Sequence, residues 1–287
     1  MKDVVLDSDA YNEIDDQFAI AYLLKNDRYL NTRAIYAAPF SNIIAATPQE
    51  GMGKSYDEIL KLLKLCDREV PVFRGSCNYL VDERTAVDSP AARDLVFRAL
   101  QYSKDNPLYV VAIGAITNIA SALLLEPKIA ENIVIIWLGG HAHHWHDTVE
   151  FNMKQDIAAA RVVMGSSASF VQLPCRGVVS EFSVSKPDLV EYFYDRNLLS
   201  DYLAKNTVKH MAERRKVGPI WSKPLWDVTA VAWLMNDGDK YMKAYDLLVR
   251  LPEYDGRYGP EQNKLIKYVY SINRDLLLTD LVRVLTE

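Results

Sequence analysis

Short runs of consecutive apolar residues alternate with stretches of helical period, and this rhythm constrains the chain more than any other feature. Val4-Val5-Leu6, Ala34 to Ala38, Val70 to Phe73, Leu108 to Ile113, Ile133 to Leu138 and Ser169 to Leu173 read as strands. Between them, Gln17 to Lys25, Tyr56 to Leu65, Ala91 to Tyr102, Thr117 to Leu125 and Ile157 to Gly165 carry apolar residues at helical spacing. Strands that are apolar throughout belong in a sheet covered on both faces. Strand–helix alternation predicts βαβ units. The expected fold is therefore α/β: a Rossmann-like open, mainly parallel sheet with helices on both faces. After Ser185 the pattern turns helical, with Leu189 to Ala204, Val208 to Arg215 and Trp226 to Leu234 as candidates. This helix-rich region, about 186–235, is expected to cover a pocket. Tyr245 to Val249 and Leu265 to Ile272 read as strands and Asp275 to Leu285 as a helix. No linker or repeat interrupts residues 1–287, so one domain is expected.

Composition narrows the function. The 33 Lys plus Arg against 38 Asp plus Glu leave a formal charge of −5, unlike a basic nucleic-acid-binding face. No apolar run approaches the roughly 18 residues of a membrane span. Met1-Lys2-Asp3 leads straight into a strand closed by Asp7 and Asp9, so no signal peptide is expected. Cys66, Cys77 and Cys175 are odd in number and contain no C-x-x-C. A cytoplasmic protein fits these features.

The first strand ends in Asp7-Ser8-Asp9, followed by Glu13, Asp15 and Asp16. In open α/β sheets this is where ligands sit. Five carboxylates so close call for a cation, and hard oxygen donors suit Ca²⁺ or Mg²⁺. A solvated acidic loop before a helix is the plainer reading. An EF-hand loop fails, because Tyr11 and Asn12 stand where Asp or Asn and then Gly are needed. The D-x-D of haloacid-dehalogenase-like phosphatases fits poorly, because Tyr11 replaces the usual Thr or Val. Gly114-Ala115-Ile116-Thr117-Asn118 and Trp137-Leu138-Gly139-Gly140 close two further strands. Four of the five histidines, His141, His143, His144 and His146, fall within six residues. That spacing is not typical of a zinc site. A solvated loop, or a loop in which one His supplies a proton, are the other readings. Asp227 after Trp226 can be a simple helix-start acid. His210 reads as a partly exposed helix residue, and Arg214-Arg215-Lys216 as a solvated helix end.

Taken in order from residue 4 to about 235, these pieces resemble the calcium-dependent nucleoside hydrolase family, including its inosine-uridine-preferring members. The family opening D-x-D-P-G-x-D-D stands here as Asp7 to Asp16, two residues longer. Its G-P-L-T-N is Gly114 to Asn118, its M-G-G is Leu138-Gly139-Gly140, and its E-F-N-x-x-x-D is Glu150 to Asp156 unaltered. The longer first loop and the Trp-Leu-Gly-Gly-His stretch suggest a less characterised bacterial branch.

The resemblance implies Ca²⁺ held by Asp9, Asp16, Asp227 and the backbone carbonyl of Thr117, with Asp9 also the general base. It assigns Asp15, Asn42, Glu150 and Asn152 to the ribose hydroxyls. It implies hydrolysis of ribonucleosides to ribose and base, and a homo-oligomer, dimer or tetramer. Trp226 replaces the family His that can protonate the leaving base, and His144 stands where the family has Asn. Trp226 and Trp145 are therefore expected to stack on a base, with His144 or a neighbouring His as acid. A different ribosyl substrate, or a non-catalytic ribose- or nucleoside-binding module, are the alternatives. A D-x-D phosphatase is a weaker one.

Overall fold

The N-terminal strand β1 (Lys2–Ser8) sits at the centre of the molecule because Val4, Val5 and Leu6 are all buried, Val4 and Leu6 on one face and Val5 on the other. The computed structural model describes residues 1–213 and 218–287. After β1 come α1 (Asp15–Lys25), β2 (Leu30–Ala37), α2 (Pro48–Cys66), β3 (Val72–Arg74), α3 (Pro90–Ala99), β4 (Leu108–Ala112) and α4 (Thr117–Leu125). Then follow β5 (Ile133–Leu138), α5 (Phe151–Gln155), α6 (Ile157–Gly165) and β6 (Ser169–Leu173). The C-terminal third holds β7 (Ser183–Ser185), α7 (Lys186–Tyr192), α8 (Leu198–Glu213), β8 (Ser222–Pro224), α9 (Val228–Trp233), β9 (Met242–Pro252), β10 (Tyr258–Ile272) and α10 (Arg274–Thr286).

Eight strands form one sheet in the order β3-β2-β1-β4-β5-β6-β10-β9. All neighbours are parallel except the β9–β10 hairpin. Residues of α1, α2, α9 and α10 pack with Leu6, Val111 and Ile136 on one face. Residues of α3, α4 and α6 pack with Val5, Val110 and Ile135 on the other. This is the expected α/β sheet, covered on both sides. The chain leaves β1 toward β2 and β3, then crosses back to β4. The crevice between β1 and β4 is thus a topological switch point.

Several element limits differ from the sequence reading. Helix α2 starts eight residues before Tyr56. Thr47 caps it, accepting from Glu50 N, and Pro48 occupies its first turn. Gly51 weakens the helical signal there, yet a Cβ at that position would stand 2.0 Å from Phe40 O. The single helix expected over Leu189 to Ala204 is broken between α7 and α8, where Asp195 has φ 58°. The expected Val208–Arg215 helix is the end of α8, and the Arg214-Arg215-Lys216 helix end lies outside the described residues. The two late strands are longer than expected and pair as one hairpin. Among the described residues no helix is long and apolar enough to cross a membrane.

Candidate active site

A cavity of about 1010 Å³ opens at the carboxyl ends of β1, β4 and β5. Its floor is built by strand ends and helix starts. Asp9 follows β1, and Asp15 and Asp16 begin α1. Asp227 stands immediately before α9, which packs on α1. All four carboxylates are buried. Oxygens of Asp15, Asp16 and Asp227 lie within 4.8 Å of one another. Asp9 stands outside that trio but within electrostatic reach of Asp16, Asp15 and Glu150. Ser8 Oγ donates to Asp16 Oδ1 at 2.6 Å. Asp9 Oδ2 is buried with no hydrogen-bond partner among the described residues. Gly114 makes room for this carboxylate: a Cβ there would lie 3.0 Å from Asp9 Oδ1.

The electrostatics follow from crowding. Burial raises the pKa of Asp9, and Asp16, Asp15 and Glu150 raise it further. Asp16 is raised by burial and then by Asp15. Asp227 is raised by burial and by Asp15, Asp16 and Asp9. Carboxylates in this state are high in energy when ionised, and a divalent cation offsets that cost. The all-oxygen donors and the orphaned Asp9 oxygen fit a hard cation such as calcium.

A second group lies on the β5 side. Glu150 caps α5: Oε1 accepts from Asn152 N at 2.9 Å, and Oε2 from Gly140 N at 3.0 Å and Met153 N at 2.9 Å. Asn152 Nδ2 donates to Ile113 O and Leu138 O, both at 3.1 Å, which ties the ends of β4 and β5 together. Its amide hydrogens are thereby used, and its carbonyl oxygen is the group left for a ligand. Asn42 lines the cavity but is engaged locally, donating to Asn12 Oδ1 at 2.8 Å and accepting from Ile44 N at 2.9 Å.

The structure brings Asp9, Asp15, Asp16, Asn42, Glu150, Asn152, Trp226 and Asp227 to one cavity. His144, Trp145 and Thr117 are not among its lining residues. Thr117 is fully buried and donates its hydroxyl to Asp156 Oδ2 at 2.7 Å. The histidine loop turns tightly, with Trp145 N donating to Ala142 O at 2.8 Å, and leaves His144 exposed. His141 lines the cavity instead. Burial first, then Arg176, pushes its pKa down to about 4, so it is a neutral imidazole near pH 7. Asp7, counted with the acidic cluster from its spacing, does not line the cavity. Its Oδ1 accepts from Asn118 Nδ2 at 2.7 Å. His210, expected as a partly exposed helix residue, is half-buried in α8 and lines the cavity.

Sequence reasoning missed Lys223. Its Nζ donates to Glu13 Oε2 at 2.5 Å and to Asp15 Oδ1 at 3.0 Å, and lies 3.9 Å from the centre of the Trp226 ring. Burial works against its charge, but Asp15 and Glu13 outweigh it and hold its pKa above the ordinary lysine value. The one available signal was the need for a cation beside so many carboxylates. Trp226 is further fixed by donating Nε1 to Ser180 Oγ at 2.8 Å.

The neighbouring His143 ring packs against Tyr258 and Tyr268, with centroids 4.5 and 4.8 Å away. Burial, then Arg250, pushes its pKa down to about 4. The unfolded chain takes up that proton near pH 6.5, so stability is lost as pH falls from about 6.5 toward 4. The acidic drop in unfolding midpoint, read between pH 7.5 and pH 5, should be smaller for His143→Phe than for the unmodified protein. Equal drops would show that His143 is not a source of acid lability.

Comparison with known proteins decides the family. The profile described as inosine-uridine preferring nucleoside hydrolase matches residues 4–275. The chain belongs to this family. Nucleoside hydrolases similar to it include the non-specific ribonucleoside hydrolase RihC of Salmonella enteritidis PT4, 25% identical over 261 residues, covering 81% of this chain and 78% of that one. The pyrimidine-specific ribonucleoside hydrolase RihB of Escherichia coli SE11 is 24% identical over 274 residues, 84% of this chain and 81% of its own. The match to the inosine-uridine preferring nucleoside hydrolase of Leishmania major is 29% identical over 96 residues; it covers 32% of this chain and spans only 31% of that protein. Among solved structures, the plant nucleoside hydrolase PpNRh1 shares the fold with a TM-score of 0.79 at 19% identity, covering 99% of both chains. The fold of this nucleoside hydrolase family member is therefore that of its relatives across bacteria and plants.

Proposed function

We propose that this protein is a calcium-dependent hydrolase of the N-glycosidic bond of ribonucleosides or a closely related ribosyl compound. The observation that carries the reading is the buried carboxylate floor, with Asp9 Oδ2 left without a partner among the described residues, at the switch point of a nucleoside hydrolase fold. In this reading Asp9, Asp16 and Asp227 hold the ion. Asp15, Asn42, Glu150 and Asn152 hold the ribose hydroxyls. Bound calcium supplies a positive charge that orients a water and makes it more acidic. Asp9 accepts the proton of the attacking water, a task that suits a carboxylate with an open lone pair and a raised pKa. The carboxylates together stabilise the positive charge that grows on the sugar as the bond breaks. On the leaving-group side, Trp226 is the stacking platform of this reading, while His144 and Trp145 stand outside the cavity and are given no part. The reading includes a homo-oligomer and a cytoplasmic location.

A reducing-sugar assay tests the reaction. With calcium, ribose should be released from at least one member of a nucleoside panel that includes p-nitrophenyl riboside. A strong chelator should abolish the release, and added calcium should restore it. Calcium and ribose binding without turnover of any substrate would favour a binding module. Full activity in chelator would exclude calcium from the reaction.

A further inference from the structure

The cavity has two kinds of wall. Its floor is acidic, but five basic side chains line its mouth: Lys54, Lys61, Lys209, Lys154 and Arg176. The first three have carboxylates on their own helices. Lys54 donates to Glu50 at 2.6 Å, Lys61 lies 3.8 Å from Glu58, and Lys209 lies 4.0 Å from Glu213. Lys154 and Arg176 form no ion pair among the described residues.

These two cations belong to one corner. Lys154 stands on α5, one turn from Glu150. Arg176 stands in the turn after β6, which is stitched to the glycine turn after β5. Cys175 N donates to Gly140 O at 2.8 Å and Ala142 N to Arg176 O at 2.9 Å. Arg176 N donates to His141 Nδ1 at 3.4 Å, which leaves Nε2 as the protonated nitrogen of that neutral ring. His141 lies within reach of both positive charges. Glu150, held by three backbone N–H groups, offsets Lys154 in part, but one carboxylate against two cations does not neutralise the corner. Asp147, on the histidine loop, bonds to His146 at 2.7 Å, lies 3.8 Å from His141 Nε2, and does not line the cavity. The volume of about 1010 Å³ is at the upper end for a small-ligand site, so a sugar and base leave room for a further group.

We infer that the substrate is anionic: a ribosyl compound whose phosphate or carboxylate is met by Lys154 and Arg176. This rests on the ribosyl hydrolase reading above. The plain alternative is that both side chains are simply solvated. The test uses the full-length, calcium-loaded protein and two matched pairs. Calorimetric titration compares ribose 5-phosphate with ribose, which puts the anion on the sugar. Turnover compares orotidine with uridine, which puts it on the leaving group.

At least one anionic member should be preferred roughly tenfold or more, the size of one charge-assisted hydrogen bond. The preference should fall several-fold in Lys154→Met and in Arg176→Met, and should shrink with added salt. Ribose 5-phosphate no better than ribose, with orotidine no better than uridine, would overturn the inference and leave the hydrolase reading standing. A preference untouched by both substitutions would also overturn it. Failure of ribose and ribose 5-phosphate alike to bind, with no turnover, would remove both readings together.

Discussion

Asp9→Asn is expected to lower turnover by roughly 10²- to 10⁴-fold, the usual share of a general base. Calcium-dependent ribose binding should remain detectable. The substitution preserves shape, and the hydrogen bond from Ser8 to Asp16 does not depend on Asp9. What it removes is the one buried carboxylate oxygen on the floor that has no hydrogen-bond partner among the described residues. It also removes a negative charge from a crowd that raises the pKa of Asp227. The calcium-free variant should therefore unfold at a higher temperature than the unmodified protein at pH 8, while losing its activity. This opposition separates a chemical role from a structural one. Ribose release within threefold of the unmodified protein would remove Asp9 from the chemistry, whatever happened to stability.

Lys223→Met should destabilise the calcium-free protein by roughly 3–5 kcal/mol, the cost of breaking a buried ion pair from one side. Lys223 and Asp15 are each 2% exposed, so water cannot take over the lost charge. Glu13 is 25% exposed and has less to lose. The midpoint of thermal unfolding should fall by on the order of 10 °C. Saturating calcium should recover part of the loss, because a bound cation supplies charge near the same carboxylates. A midpoint within about 1 °C of the unmodified protein, against the several degrees typical of such a loss, would show that Lys223 does not offset the acidic floor.

How legible all this was depended on sequence distance. The sheet could be read because Val4 to Leu6, Leu108 to Ile113 and Ile133 to Leu138 are apolar on both faces, which few other elements allow. The first half of the floor could be read because Asp9, Asp15 and Asp16 are near neighbours. Asp227 came from motif order, since no spacing rule links it to residues more than two hundred positions earlier. Lys223 sits in a Ser-Lys-Pro stretch with no local signature, and only the packing of β8 and α9 against α1 brings it to Asp15. The histidine loop misled in the opposite way. Four imidazoles in six residues resemble a site, yet the turn at Ala142–Trp145 sends them in different directions, and His141 alone of the four lines the cavity. Composition marks a loop as unusual; only its backbone path decides which side chain reaches the ligand.

The floor and the mouth of the cavity differ in how the chain builds them. Asp9, Asp15, Asp16 and Asp227 sit where strands end and helices begin, clamped by the sheet. The mouth is mixed: Lys54, Lys61, Lys154 and Lys209 stand on helices, while Tyr11, His141, Val149 and Arg176 sit on connecting loops. A lineage can therefore alter the loop-borne part of the mouth at little risk to the carboxylate floor. Mutational tolerance should be divided accordingly, with substitutions accepted around the rim and rejected at the base. The topology of a single reversal in strand order is in this sense a device for evolvability.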